Sequence, residues 1–466
     1  MMECFKIYAD EIEGRIDPFY LKNKLVLEDL QPQFKLISLG SLLKCKIQYG
    51  ANESAIDGNP KEDVRYIRIT DIDESGNLKD NDWKTSQNIE KKYILNDGDV
   101  LFARSGATVG KCFFYKNEYE KSIFAGYLIR FIFDEKKVNP KYVFYYNQLK
   151  RYKLWVISIQ RPSGQPNINS EEFKSFKIPL PSLEVQNHIV NIMNDAYKIK
   201  KQKESEAYRL LDSINDYVLD ELGIKLPELK DKMTYVVWAD DVKDKRLDAY
   251  YYQPKFKDIE EIINGEKYKH DKLNNILEKL ISGQRPKGGV RQIKNGIPSL
   301  GGEHILKDGS IDMENIKYIP EKYHKNHLRS SVNKNDLLIV KDGATTGKIG
   351  IIPEDYPFDE VNINEHLFLL RCKDAINPYF LLSFLKSKAG QIQFNRETTG
   401  GTIMGIVREA VERINVSLPS IPIQNKIAEE VKQRILRAKK LQKEAEKDIK
   451  EAKEKVERII LGEEEI

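Results

Sequence analysis

What most constrains this chain is that it is written twice. Residues 99–111 read DVLFARSGATVGK and residues 336–348 read DLLIVKDGATTGK, identical at seven of thirteen positions. Residues 180–190, LPSLEVQNHIV, return as residues 418–428, LPSIPIQNKIA, identical at six of eleven. Asn139-Pro140 returns as Asn377-Pro378, and Arg15-Ile16-Asp17 as Arg246-Leu247-Asp248. Tyr8-Ala9-Asp10 and Trp238-Ala239-Asp240 precede these last two segments. The landmarks keep their order, so two units of roughly 230 residues account for the whole chain. That period is far beyond the ~20–50 residues of a solenoid repeat, and it implies one duplicated domain and a pseudo-two-fold molecule.

Each copy has two textures. The first mixes short apolar runs with Gly, Asn and Asp turns. Val64–Ile69, Asp99–Ala103, Leu128–Phe133, Leu337–Val340 and Leu367–Leu370 read as strands, and helical patches follow the two Asn-Pro pairs. This is a mixed α/β (α+β) domain. The second texture is one long helix. Val185, Ile189, Ile192, Ala196 and Ile199, then Ala207, Leu210, Ile214 and Tyr217, keep a coiled-coil spacing that Lys203 interrupts. The second copy carries Ala438, Leu441, Ala445, Ile449, Ala452, Val456 and Ile459. Ser182 suits the N-cap and Gly223 the C-terminal stop. About 40 residues at ~1.5 Å each make a helix of about 60 Å. A helix so long and polar needs a partner, and the other copy supplies it. An antiparallel pair is expected, with one α/β domain near each end.

The expected organisation is an N-terminal segment over 1–30, an α/β domain over 31–181 and a long helix over 182–222. A connector over 223–268 repeats the N-terminal segment. A second α/β domain covers 269–419 and a second long helix 420–466.

Composition excludes several classes. Mean hydropathy is −0.55, and no apolar run approaches the ~18 residues of a membrane span. The first residues, MMECFKIYADEIEG, carry acids where a secretion signal is basic and then apolar. The chain reads as cytoplasmic, without a membrane partner. Cys4, Cys45, Cys112 and Cys372 form no C-x-x-C pair, which argues against a disulfide framework or a structural zinc site. Lys and Arg number 76 against 72 Asp and Glu, a net charge of +4, so a nucleic-acid partner requires a local basic surface.

No catalytic constellation stands out. Gly106 to Lys111 has three residues between its glycines where a P-loop has four, and Cys112 follows where the metal-binding hydroxyl belongs. The second copy has the same shortfall. Such a turn presents backbone N–H groups and a lysine that suit a DNA phosphate. His324 and His327 read as a solvated pair. No G-x-S-x-G, H-E-x-x-H or methyltransferase Asn/Asp-Pro-Pro-aromatic tetrapeptide is present. Groups suited to DNA cluster in loops of both copies: Arg104, Ser105, Lys111, Arg161 and Gln165 in the first, and Gln284, Arg285, Lys287, Arg291, Lys341, Lys348, Arg396 and Thr398 in the second.

The ordered set of motifs resembles the specificity subunit of type I restriction–modification systems. The duplicated D-x-L-x-x-x-x-G-A-T-x-G-K carries the resemblance, with Gly164-Gln165-Pro166-Asn167-Ile168 and the duplicated L-P-S-[LI]-x-[VI]-Q-N-x-I. Gln186 and Gln424 match the family's helix-opening glutamine, and Arg15-Ile16-Asp17 and Arg246-Leu247-Asp248 its R-x-D-x-x-Y segments. The second copy departs from the pattern at Gly401–Ile406, which lacks the Gln-Pro-Asn. The resemblance implies two target-recognition domains, each reading half of a bipartite site in double-stranded DNA. The helices would set the spacer and dock two modification subunits. It implies no catalysis and no cofactor in this chain. S-adenosylmethionine is expected on the modification subunits, and ATP with Mg²⁺ on restriction/translocase subunits. The competing expectations are a coiled-coil scaffold without a DNA role, and a recognition subunit of a methyltransferase-only or phage-exclusion system.

Overall fold

The computed structural model describes residues 31–79, 82–160, 166–228, 230–243, 246–265, 267–287, 289–290, 293, 295–312, 315–401 and 403–465. The N-terminal segment with its Arg15-Ile16-Asp17, Cys4, and the candidates Arg161, Gln165 and Arg291 lie outside them. The chain divides into two compact units: one combines the chain up to Lys203 with Lys443 onward, and the other is Glu204–Gln442.

The strands of the first unit used below are β1 (Leu36–Ser38), β2 (Gln48–Tyr49), β3 (Val100–Ala103), β4 (Cys112–Phe114), β5 (Leu128–Phe131) and β6 (Lys177–Pro179). Its helices are α1 (Pro140–Tyr146), α2 (Lys150–Ile159) and the first half of α3 (Leu183–Leu222). A four-stranded antiparallel sheet has the order β2-β5-β3-β4, and β1 pairs with β6. β3 is apolar at every position because both its faces are covered. Phe102 faces Phe131, Tyr142, Phe173 and the long-helix residues Ile189 and Met193. Leu101 and Ala103 face Phe113, Phe124 and Leu128 in a second cluster.

The second unit repeats the plan. It contains α4 (Pro254–Ile263), β7 (Lys269–Lys272), β8 (Leu277–Ser282), β9 (Leu337–Val340), β10 (Ile349–Ile351) and β11 (Leu367–Cys372). There follow α5 (Pro378–Lys386), α6 (Lys388–Glu397), β12 (Asn415–Leu418) and α7 (Ile421–Leu461), whose first half belongs here. The sheet order is β8-β11-β9-β10, strand for strand that of the first unit, and β7 pairs with β12 as β1 does with β6. The duplicated mixed α/β domain read from the sequence is therefore the fold.

The repeated motifs are the joints of this frame. The Asp that opens each D-x-L run caps a turn and holds an arginine. Asp99 accepts from the Asn96 N–H and pairs with Arg130 at 2.5 Å; Asp336 accepts from the Asn333 N–H and pairs with Arg371 at 2.7 Å. The glutamine that opens each long helix is buried. Gln186 Oε1 accepts from the Asn139 N–H (2.8 Å) and its amide donates to the Pro181 carbonyl (2.9 Å). Gln424 does the same with Asn377 and Pro419, both at 2.9 Å. Asn139 and Asn377 then cap α1 and α5 through their side chains and donate to Asn187 and Asn425. One constellation thus ties each long helix to its own α/β domain.

In both units the halves of α3 and α7 run antiparallel. Ile189, Val190 and Met193 share a core with Val456, Ile459 and Ile460 in the first. Val218, Leu219 and Leu222 share one with Ile427, Ala428 and Val431 in the second. α3 stops as expected: Gly223 takes φ +70°, with Ile224 N–H bonding to Leu219 O and Gly223 N–H to Asp220 O, a Schellman motif. The seam differs from the expected one at two places. Ile199 is exposed, and Met193 takes a core position instead. Lys203 does not merely interrupt the seam: it pairs with Glu444 and Asp448 of α7 at 3.3 and 2.8 Å.

Candidate nucleic-acid interface

The Gly-Lys turn closes the end of β3 and of β9 in the same way. Gly110 N–H returns to Ala103 O and Gly347 N–H to Val340 O; Arg104 N–H reaches Tyr127 O, and Lys341 N–H reaches His366 O. A helix holds each turn from behind, Tyr152 of α2 donating to Gly110 O and Gln391 of α6 to Gly347 O. Gly110 has φ +82°, and a Cβ there would stand 2.6 Å from Val156, so only glycine fits. Beside the turn, Gly50 follows β2 and Gly283 follows β8, where a Cβ would lie 2.2 Å from Ala125 O and 2.1 Å from Asn364 O.

Most of the groups that the phosphate-cradle expectation relied on are occupied within the protein. The N–H groups of Gly106, Val109, Gly110 and Lys111 all donate within the protein, as do those of Gly343, Thr346, Gly347 and Lys348. Gly106 is taken by Pro166 O and Gly343 by Met404 O, from the later loop of each domain. The Lys111 ammonium pairs with Glu74 at 2.7 Å. The turn is a strut that positions its neighbours.

Those neighbours differ between the units. In the first, the Arg104 guanidinium lies over the Tyr49 ring at 5.0 Å. Ser105 adjoins it, buried, with its hydroxyl unpartnered, and Tyr127 projects with 61% of its surface exposed. In the second, Lys341 replaces Arg104 and lies 5.7 Å from the Phe368 ring. Around it runs a charged chain: Arg285 pairs with Glu365 at 2.5 Å, Glu365 lies 3.4 Å from His366, and His366 bonds to Asp342 at 2.5 Å.

The second unit also carries a groove of about 760 Å³ beside this chain. Lys325, Arg329, Lys341 and Arg408 line it with Gln284 and Asn326, and no acidic residue lines it among the described residues. This is the local basic surface that a nearly neutral chain needs to meet a phosphate backbone. Sequence reasoning found Gln284, Arg285 and Lys341 but missed Lys325, Arg329 and Arg408. The signal was the run His324-Lys325-Asn326-His327-Leu328-Arg329, read only for its histidines. That pair is also not solvated: His324 is buried against Asn362, and His327 stacks on Tyr323 with ring centroids 3.9 Å apart. Among the described residues no group of His, Cys, Asp and Glu is placed to hold a metal ion.

Other candidates sit elsewhere. Lys287 is exposed in the loop after β8, and Lys348 closes the turn without an ion pair among the described residues. Arg396 points away from the loops: it pairs with Glu260 of α4 at 3.1 Å and packs 4.5 Å from the Tyr251 ring. Thr398 bonds back to Phe394 O. Arg246, of the R-x-D-x-x-Y segment, also lies over the Tyr251 ring (4.7 Å) and donates to the carbonyls of Arg396, Glu397 and Thr398. It satisfies the open C-terminal end of α6. That segment and Arg396 are structural.

The sequence of residues 34–209 and 255–451 matches the type I restriction modification DNA specificity domain, once for each copy. The chain belongs to that family. Among specificity-subunit relatives, it is 22% identical to the MjaVIII specificity subunit of Methanocaldococcus jannaschii over 383 residues, covering 80% of each chain. It is 26% identical to the EcoBI specificity subunit of Escherichia coli over 412 residues, covering 84% of this chain and 78% of that one. A solved structure from a type I restriction–modification system superposes with a TM-score of 0.50 at 14% identity, covering 92% of this chain and 97% of the other, which shows the shared fold.

Proposed function

We propose that this chain is the DNA sequence-recognition subunit of a type I restriction–modification complex, and that each α/β domain reads one half of a bipartite site. The observation that carries the reading is the contrast at the interface. Two domains share one frame down to individual hydrogen bonds, and at the same place on it they present different chemistry. A duplicated reader of two different half-sites requires this; a coiled-coil scaffold does not. On this reading the long helices set the separation of the two half-sites. Major grooves on one face of B-DNA recur every ~34–36 Å, so the separation must be rigid.

The chemistry belongs to partners. Two modification subunits dock on the helices and carry S-adenosylmethionine; restriction/translocase subunits carry ATP and Mg²⁺; the complex works in the cytoplasm. This chain supplies the address and no catalytic group. Among the described residues no helix is long and apolar enough to cross a membrane.

Co-expression with a modification subunit, pull-down and methylome sequencing test the reading. A complex and a split methylated motif are expected. A folded chain that captures no such subunit and leaves no motif would return the helices to a scaffold role.

A further inference from the structure

Among the described arginines of the first unit, Arg104 stands apart because no acid or carbonyl holds its guanidinium. Arg130 is spent on Asp99, and in the second unit Arg371, Arg396 and Arg413 are spent on Asp336, Glu260 and Glu397. Arg104 has no hydrogen-bond or ion-pair partner for its guanidinium among the described residues, and its Nε is shut away from solvent unpaired. The adjoining Ser105 Oγ is likewise buried and unpaired. Two neighbouring unsatisfied donors at the end of one strand are unfavourable in the free protein. The terminal amino groups of the same guanidinium are not shut away and carry no hydrogen bond among the described residues, so they are where a ligand can bring acceptors.

The geometry selects the ligand. The guanidinium lies over the Tyr49 ring, 5.0 Å from its centroid, and Arg104 N–H bonds to the carbonyl of Tyr127, whose side chain is exposed. A phosphate can be met by a mobile lysine. A planar donor fork beside an aromatic ring fits a planar pair of acceptors. In a DNA groove that pair is O6 and N7 of guanine. We propose that Arg104, oriented by Tyr49, is a base-reading residue of the first recognition domain and takes the edge of a guanine in its half-site. The proposal rests on the reading of this chain as a DNA-recognition subunit. Among the described residues the device is confined to one domain. The backbone pairings place Ser282 where the first unit has Tyr49, and Lys341 where it has Arg104.

The test uses the full chain co-expressed with its modification subunit in a host free of other adenine and cytosine methylation, read by methylome sequencing. Wild type is expected to give a split motif with a G·C pair in at least one half. Arg104→Ala is expected to relax one G·C position of one half-site by roughly ten- to a hundredfold in relative methylation, leaving the other half-site and the spacer intact. The intact half-site reports that the variant is folded. Tyr49→Ala is expected to relax the same position less. An unchanged motif would overturn the proposal. So would a uniform fall at all sites with base preference kept, which would assign Arg104 to a phosphate. If Arg104→Ala leaves no methylation, Arg104→Lys decides: it keeps the charge and loses the fork, so undiminished guanine preference overturns the proposal. A wild type with no split motif would instead remove the recognition-subunit reading itself.

Discussion

Gln186 and Gln424 carry more of the architecture than their chemistry suggests. Each is an uncharged side chain buried at the first turn of a long helix, where it satisfies one N–H of an Asn-Pro corner and one carbonyl of the Leu-Pro-Ser entry. Truncation leaves both backbone groups buried and unpaired. Gln186→Ala and Gln424→Ala are each expected to lower unfolding stability by about 1–3 kcal/mol in urea titrations; a change under about 0.5 kcal/mol would contradict the role. The repeat drew attention to both glutamines. Their purpose was not legible, because Asn139 and Asn377 lie far back in the chain and only the fold brings them near. The cysteines follow burial. Burial pushes the Cys112 and Cys372 thiols up to about 12, and Cys45 is exposed. Iodoacetamide at pH 8 should therefore modify Cys45 long before the other two, as peptide mass spectrometry would show. Prompt labelling of Cys112 would place it outside the core.

At the scale of elements, each α/β domain also grips its long helix away from the glutamine joint, and the two grips differ. In the first unit the Tyr197 hydroxyl of α3 donates to Gln148, whose amide donates to Ser75 O in a tight turn. In the second, Lys439 of α7 pairs with Asp308 of the corresponding turn at 2.8 Å, and Lys386 donates to Lys307 O. Burial, reinforced by Lys439 and Lys348 and opposed by Asp308, brings Lys386 down to about 8. A lysine in the unfolded chain titrates near 10.4. Between those values the unfolded chain binds more protons, so this group makes stability rise with pH from about 8 to about 10. Replacing it by Lys386→Met is expected to flatten the melting temperature over that range relative to wild type; an unaltered slope would show that Lys386 is not the group responsible. The helices themselves were legible from their apolar spacing. The grips were not, because they are built from polar residues on the faces that the spacing leaves blank. Ile199 and Lys203 show the same limit. Heptad counting cannot tell an exposed isoleucine from a seam position, or an interrupting lysine from one paired with Glu444 and Asp448.

For the whole molecule, duplication made the domain plan legible and hid the interface. Motifs that match between copies build the frame; on the proposed reading the residues that meet DNA lie where the copies diverge, and divergence leaves no pattern. Arg104 and Arg285 stand out as basic loop residues, yet Tyr49 at the end of β2, and Tyr127, Glu365 and His366 in the turns before β5 and β11, carry no signal of their own. The domain-by-domain account predicts that Arg285→Ala, which frees Glu365, changes only the second half-site of the methylated motif. Changes in both halves would contradict it. The central claim is that the helix pair is the ruler between two independent readers. Seven residues inserted after Lys203 and seven after Gln442 would lengthen both helices by two turns and keep the seam in phase. That is about 10 Å, or about three base pairs at ~3.4 Å each. The measurement is the methylome of this insertion variant. The account predicts both half-sites unchanged and a spacer about three base pairs longer; an unchanged spacer, or altered half-sites, would contradict it.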